Sequence, residues 1–126
     1  MKAWLLRLLA SPPGRWLTGT LLIHFPGWLP LRGKQVGANW VSFPHPQPDA
    51  PYHLVLLPRR RNASLAELDA QDTALLSELI STVQQRVRQD GLERGGYRLV
   101  VNAGRYQSFP HLHFHLLAEP AEERHD

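Results

Sequence analysis

The chain of 126 residues contains no cysteine. This excludes disulfides, thiolate metal ligands and cysteine nucleophiles, and it fits a reducing compartment. The first 48 residues contain no Asp or Glu, while Lys2, Arg7, Arg15, Arg32 and Lys34 all fall there. The net charge of +3 therefore belongs to that segment, because the remaining residues carry 9 Lys/Arg against 11 Asp/Glu. The body of the protein lacks the basic surplus that nucleic-acid binders use, and no nucleic-acid partner is expected. No stretch reaches the roughly 20 apolar residues that span a bilayer. The longest uncharged run, Trp16 to Leu31, is broken by Pro26 and Pro30. Arg7 interrupts the apolar run Ala3–Ala10 and no small-residue cleavage site follows, which argues against a secretory signal. A cytoplasmic location is the expectation.

What is present suits one soluble domain: 43% apolar and 20% charged residues, in a length sufficient for a real core. Residues 1–36 read as an N-terminal extension, 37–120 as the domain and 121–126 as a polar tail. Residues 2–10 predict a short amphipathic helix, ended by Ser11-Pro12-Pro13-Gly14. Trp16 to Ile23 is ambiguous between strand and helix. The extension holds Trp4, Trp16 and Trp28 among its basic residues. It covers the domain or an oligomer face, or it touches a membrane surface peripherally; its prolines divide it into pieces short enough to favour the former.

In the body, Trp40 to Phe43 predicts a strand. Pro44 to Pro51 holds four prolines in eight residues and predicts an irregular loop. His53 to Leu57 predicts a strand ended by Pro58, and Ser64 to Glu67 matches a capping box. Asp72 to about Arg88 predicts the one long helix, with Leu76, Leu79, Ile80, Val83 and Val87 at helical spacing and Glu78 off that face. Tyr97 to Asn102 predicts a strand, Gly104 to Gln107 a turn, and Phe109 to Ala118 a further strand. Strands joined by short turns around one helix predict an α+β fold with a mostly antiparallel sheet.

The last strand carries the chemistry. His111, His113 and His115 alternate with Leu112, Phe114 and Leu116. On a strand this alternation puts three imidazoles on one face and the apolar side chains on the other. Buried imidazoles need hydrogen-bond partners, so packing alone does not account for them. Histidines at i and i+2 can also share a zinc ion, although no carboxylate or cysteine lies within the motif.

The segment His111-Leu112-His113-Phe114-His115-Leu116-Leu117 resembles the signature of the histidine triad (HIT) superfamily, His-φ-His-φ-His-φ-φ. Gly96 to Asn102, Gln107-Ser108 and Pro51-Tyr52-His53-Leu54-Val55-Leu56-Leu57-Pro58 resemble segments of its Hint-like branch. The resemblance implies the HIT-like α+β fold, usually as a homodimer with a continuous sheet. It implies hydrolysis of a nucleoside phosphoramidate or related nucleotide conjugate, or of a dinucleoside polyphosphate, without metal or cofactor. A nucleotide-binding module without turnover is the alternative from another class. His113 would be the nucleophile, His111 and His115 would flank the phosphate, and His53 would orient the triad. Asn102, Gln107 and Ser108 would bond phosphate oxygens and the leaving atom. Phe43 and Val55 would line the pocket of a purine base and its ribose. One position departs: His45 stands where Hint-type members carry an acidic residue for the ribose hydroxyls. A carboxylate accepts both hydroxyls, whereas a neutral imidazole accepts one hydrogen bond.

Overall fold

The computed structural model describes residues 33–107 and 109–119. The expectations for residues 1–32, Ser108 and the tail from Pro120 lie outside these. The described chain forms one five-stranded sheet and one long helix: β1 (Gln35–Val36), β2 (Trp40–Pro44), β3 (Tyr52–Pro58), α1 (Thr73–Gln89), β4 (Arg98–Val101) and β5 (Phe114–Ala118). The sheet order is β1-β2-β3-β5-β4, and every neighbouring pair is antiparallel. This is the expected α+β architecture. The two-residue edge strand β1 was not expected; both its residues are exposed, so no apolar alternation marks it.

α1 forms where the sequence has a start signal and a stripe. Asp72 caps it by accepting a hydrogen bond from the Leu75 backbone N–H at 3.1 Å. Gly91 follows the helix at φ 69°, a conformation that costs glycine nothing. The buried stripe is Leu75, Leu79, Val83 and Val87, at strict i,i+4 spacing. The expectation that Ile80 shares this face is corrected: Ile80 is 51% exposed. The stripe packs against Trp40, Leu54, Leu56, Leu112, Phe114 and Leu116 from one face of the sheet. Each such buried leucine is worth about 1.5–3 kcal/mol relative to exposure.

Glu78 is not a solvated residue as its position off the stripe suggested. Its carboxylate accepts the backbone N–H of Trp40 at 2.8 Å and of Asn39 at 3.0 Å, satisfying the turn that enters β2. Gly37 allows this approach, since a Cβ there would stand 2.7 Å from the Glu78 carboxylate. Trp40 is tied to the same helix by its indole N–H, which donates to the Leu75 carbonyl at 2.7 Å. The predicted capping box does not form: Leu65–Glu67 is a short 3₁₀ turn, the Ser64 side chain makes no cap bond, and Glu67 accepts the N–H of Ala63, at 3.2 Å, one residue before the N-cap.

β3 is buried on both faces, which is why it reads as an unbroken apolar run. Leu54 and Leu56 join the helix-side core, whereas Val55 and Leu57 join Val41 and Phe43 in a second cluster opposite, with Phe109 against it. The predicted strand Phe109–Ala118 pairs only from Phe114 onward. Pro110 has no N–H to donate, and the Leu112 N–H goes to the Asn62 carbonyl at 2.8 Å instead of to a neighbouring strand. Two of the three histidines therefore precede β5 and are held by a loop rather than by the ladder.

Candidate active site

The sheet face opposite α1 carries the histidines. Register places Phe43, Val55, His115 and Val100 in one row across β2, β3, β5 and β4. Phe43 and Val55 are buried there, so an apolar floor lies beside His115. His113 and His115 meet edge to face with ring centroids 4.7 Å apart. The Phe109 ring stands 5.6 Å from His113 and 5.1 Å from His111. Phe109 was read only as the start of a strand, and its position beside Pro110 was the available signal that it leaves the sheet.

The bonding of each ring fixes its tautomer. His113 Nδ1 lies 2.8 Å from the backbone carbonyl oxygen of His111. A carbonyl only accepts, so Nδ1 carries the proton and the neutral ring keeps a bare lone pair on Nε2. His113 is 5% exposed, and burial holds its pKa below the ordinary imidazole value, against the pull of the carbonyl.

A second chain of bonds runs through His53 and His115. The Asp49 backbone N–H donates to His53 Nδ1 at 3.1 Å. His53 Nδ1 is therefore an acceptor, and the ring proton sits on Nε2. His53 Nε2 lies 2.7 Å from His115 Nδ1 and donates to it. His115 in turn keeps its proton on Nε2. These two chains leave Nε2 of His113 bare and an N–H on Nε2 of His115. Burial, then the neighbouring imidazoles of His113, His53 and His45, push the His115 pKa down to about 4, opposed by the Asp49 carboxylate.

His45 stacks on His53 with centroids 4.4 Å apart and 22° between planes. Its Nδ1 accepts the Gln47 backbone N–H at 2.9 Å. His111 is buried, and both its ring nitrogens lack a partner among the described residues. Its pKa is lowered by burial first, then by Arg61 and His113. Gln107 turns its amide inward: Nε2 donates to the Ala63 and His111 carbonyls, each at 2.9 Å. The His111 carbonyl thus receives both Gln107 and His113. The structure brings His53, His111, His113, His115, His45, Phe43, Val55 and Gln107 together; Asn102, the residue after β4, is half-buried. Among the described residues no group of three or more His, Cys, Asp or Glu is arranged to hold a metal ion. His53 uses both ring nitrogens, on the Asp49 N–H and on His115 Nδ1, and His113 Nδ1 is turned to the His111 carbonyl.

The sequence family described as Scavenger mRNA decapping enzyme C-term binding matches residues 34–126. The chain belongs to the HIT superfamily. It is 40% identical to an uncharacterized HIT-like protein of Synechococcus elongatus over 79 residues, 61% of this chain and 68% of the relative. It is 31% identical to the purine nucleoside phosphoramidase of Escherichia coli K12 over 72 residues, 56% of this chain and 60% of the relative. The chain thus spans about two thirds of the length of the curated relatives it matches. A HIT family hydrolase from Legionella pneumophila superposes with a TM-score of 0.69 at 28% identity, covering 78% of this chain and 88% of that one. The antiparallel five-stranded sheet with one long helix agrees with this membership.

Proposed function

We propose that this HIT protein is a hydrolase that cleaves a nucleoside phosphoramidate or a related nucleotide conjugate through a covalent nucleotidyl-His113 intermediate. The observation that carries the reading is the bond from His113 Nδ1–H to the His111 carbonyl, which leaves Nε2 as a free nucleophile on a neutral ring. In the first step Nε2 attacks the α-phosphorus, an N–P bond forms, and the bond from phosphorus to the leaving nitrogen breaks. The leaving amine takes up a proton from water, with His115 Nε2–H bonding the atom on which charge develops. The phosphorylated ring keeps its Nδ1–H and is cationic, and the His111 carbonyl stabilises that charge. In the second step water attacks the phosphorus, the N–P bond to His113 breaks, a proton is returned to solvent, and a nucleoside monophosphate leaves. Asn102 and Ser108 would bond phosphate oxygens, and Phe43 and Val55 would seat a purine and its sugar. Gln107 acts by holding the His111 carbonyl.

The 31% identity to a purine nucleoside phosphoramidase supports the substrate class. Dinucleoside polyphosphate hydrolysis is the second reading, favoured by Arg61, whose charge reaches His111 and would meet a polyphosphate leaving group. The exposed edge of β4, with Tyr97 and Leu99 uncovered, supports pairing of two copies through that strand. A panel of adenosine phosphoramidate and diadenosine polyphosphates tests the function. Turnover of the phosphoramidate that disappears in His113→Ala supports it, and tight binding without turnover of any member contradicts it.

A further inference from the structure

We propose that His45 is a positioning residue: its ring, carried on a proline-stiffened loop, fixes the plane of the His53 ring and thereby the proton that His115 presents to the site. The inference deepens the hydrolase reading above, which uses that proton, and its spectroscopic test needs no substrate.

The loop that joins β2 to β3 is built for stiffness. From Phe43 to Pro48 every residue is either a proline or stands directly before one. Proline fixes its own φ, and the residue before it is confined to extended backbone. Such a loop has few conformations to lose when it is ordered. Pro44, Pro46 and Pro48 have no N–H, so the backbone donors from Pro44 to Asp49 are those of His45, Gln47 and Asp49. All three are spent on histidines. The His45 N–H donates to the His53 carbonyl at 2.8 Å. The Gln47 N–H donates to His45 Nδ1 at 2.9 Å, and the Asp49 N–H to His53 Nδ1 at 3.1 Å. The loop thus closes around His53 and holds the His45 ring in place.

That ring lies nearly flat on His53, with centroids 4.4 Å apart and 22° between planes. His53 in turn meets His115 at 5.0 Å, and His45 stands 6.2 Å from His115, so the three rings form one cluster. The bonds of His53 to the Asp49 N–H and to His115 Nδ1 decide which nitrogen faces which neighbour. They do little against a tilt about the line joining those two nitrogens. The parallel contact with His45 opposes that tilt, and stacked rings attract beyond the area they bury. A tilted His53 would weaken the 2.7 Å bond to His115 Nδ1 and free His115 to take its other tautomer, with Nε2 bare. An acid at position 45, as in Hint-type members, accepts the Gln47 N–H equally well but cannot stack.

Long-range proton–nitrogen correlation spectra of the histidine rings, on the full-length protein without ligand, test the assignment. They are recorded at about pH 8, above the ordinary imidazole value of about 6.5. A ring nitrogen that carries a proton resonates far from a bare one, so each tautomer is read directly. Wild-type His53 and His115 are expected with the proton on Nε2. His45→Asn keeps an acceptor for the Gln47 N–H but removes the ring, and both His53 and His115 should then show averaged tautomers. His45→Phe keeps a ring without the acceptor and should hold the wild-type pattern. In turnover of adenosine phosphoramidate, kcat of the Asn variant should lie about two- to tenfold below that of the Phe variant, the range an aromatic pair contributes. A wild-type pattern in His45→Asn overturns the assignment, and so does an averaged pattern in a folded His45→Phe. If His45→Asn loses the native amide spectrum, the His45→Phe pattern decides alone. A wild type without turnover contradicts the hydrolase reading, while the expected spectra would still support the positioning role.

Discussion

His53 Nε2 lies 2.7 Å from His115 Nδ1, and the backbone N–H of Asp49 on the far side of His53 sets the direction of the bond: His53 donates and His115 accepts. The consequence is directional. His115 presents an Nε2–H to the site only as long as His53 donates to its Nδ1. Replacing His53 by Ala removes that control while leaving the substrate pocket of Phe43 and Val55 in place. We expect kcat to fall by about 10²-fold or more, the scale of losing a positioned proton donor, with KM changed much less. Steady-state kinetics on the phosphoramidate check this split.

Five imidazoles in or around the site have lowered pKa values, each chiefly through burial. In the unfolded chain imidazoles titrate near 6.5. Between that value and the lower folded values the unfolded state binds protons that the folded state does not. Stability is therefore complete above about pH 6.5 and declines as pH falls toward about 4, the value to which His115 is pushed. Denaturant unfolding measured across that range should show the decline. Activity should fall in the same direction, since a proton on His113 Nε2 removes the nucleophile.

Gln107 donates to two carbonyls, those of Ala63 and His111. Gln107→Glu replaces the donor by a second acceptor facing both. The expected cost is about 1–3 kcal/mol of stability, together with reduced kcat because the His111 carbonyl that orients His113 is displaced. Chemical denaturation and single-turnover rates measure the two effects. Loss of substrate affinity alone would instead mark Gln107 as a ligand contact.

Glu78→Ala leaves the backbone N–H groups of Asn39 and Trp40 without their acceptor. Bonds to a charged group contribute about 1.5–3 kcal/mol, and 1 kcal/mol moves the midpoint of a domain this size by about 4–8 °C. Thermal unfolding should show a loss on that order with the catalytic chemistry retained.

These cases also show what the sequence discloses and what it conceals. β3, β5 and α1 are legible because their apolar periodicities are strong, and the triad is legible because its alternation is. β1 is concealed because two exposed residues at a sheet edge carry no pattern. The inward role of Glu78 is concealed because its partners are backbone N–H groups 38 and 39 residues away, and backbone groups leave no mark on side-chain identity. The same holds at the site. His113 and His53 are named by their motifs, but their tautomers are set by the His111 carbonyl and the Asp49 N–H, which every residue type possesses. The strand expected from Phe109 stops short because Asn62, distant in sequence, takes the Leu112 N–H.

The most direct test of the account is to trap the covalent intermediate. Wild-type protein mixed with adenosine phosphoramidate and quenched in base, where a phosphoramidate bond to imidazole survives, should gain the mass of one adenylyl group. Peptide mapping should place that group on His113, and His113→Ala should gain nothing while unfolding near the wild-type midpoint. An adenylyl group mapped to another residue, or turnover retained in His113→Ala, would contradict the assignment of His113 as the nucleophile.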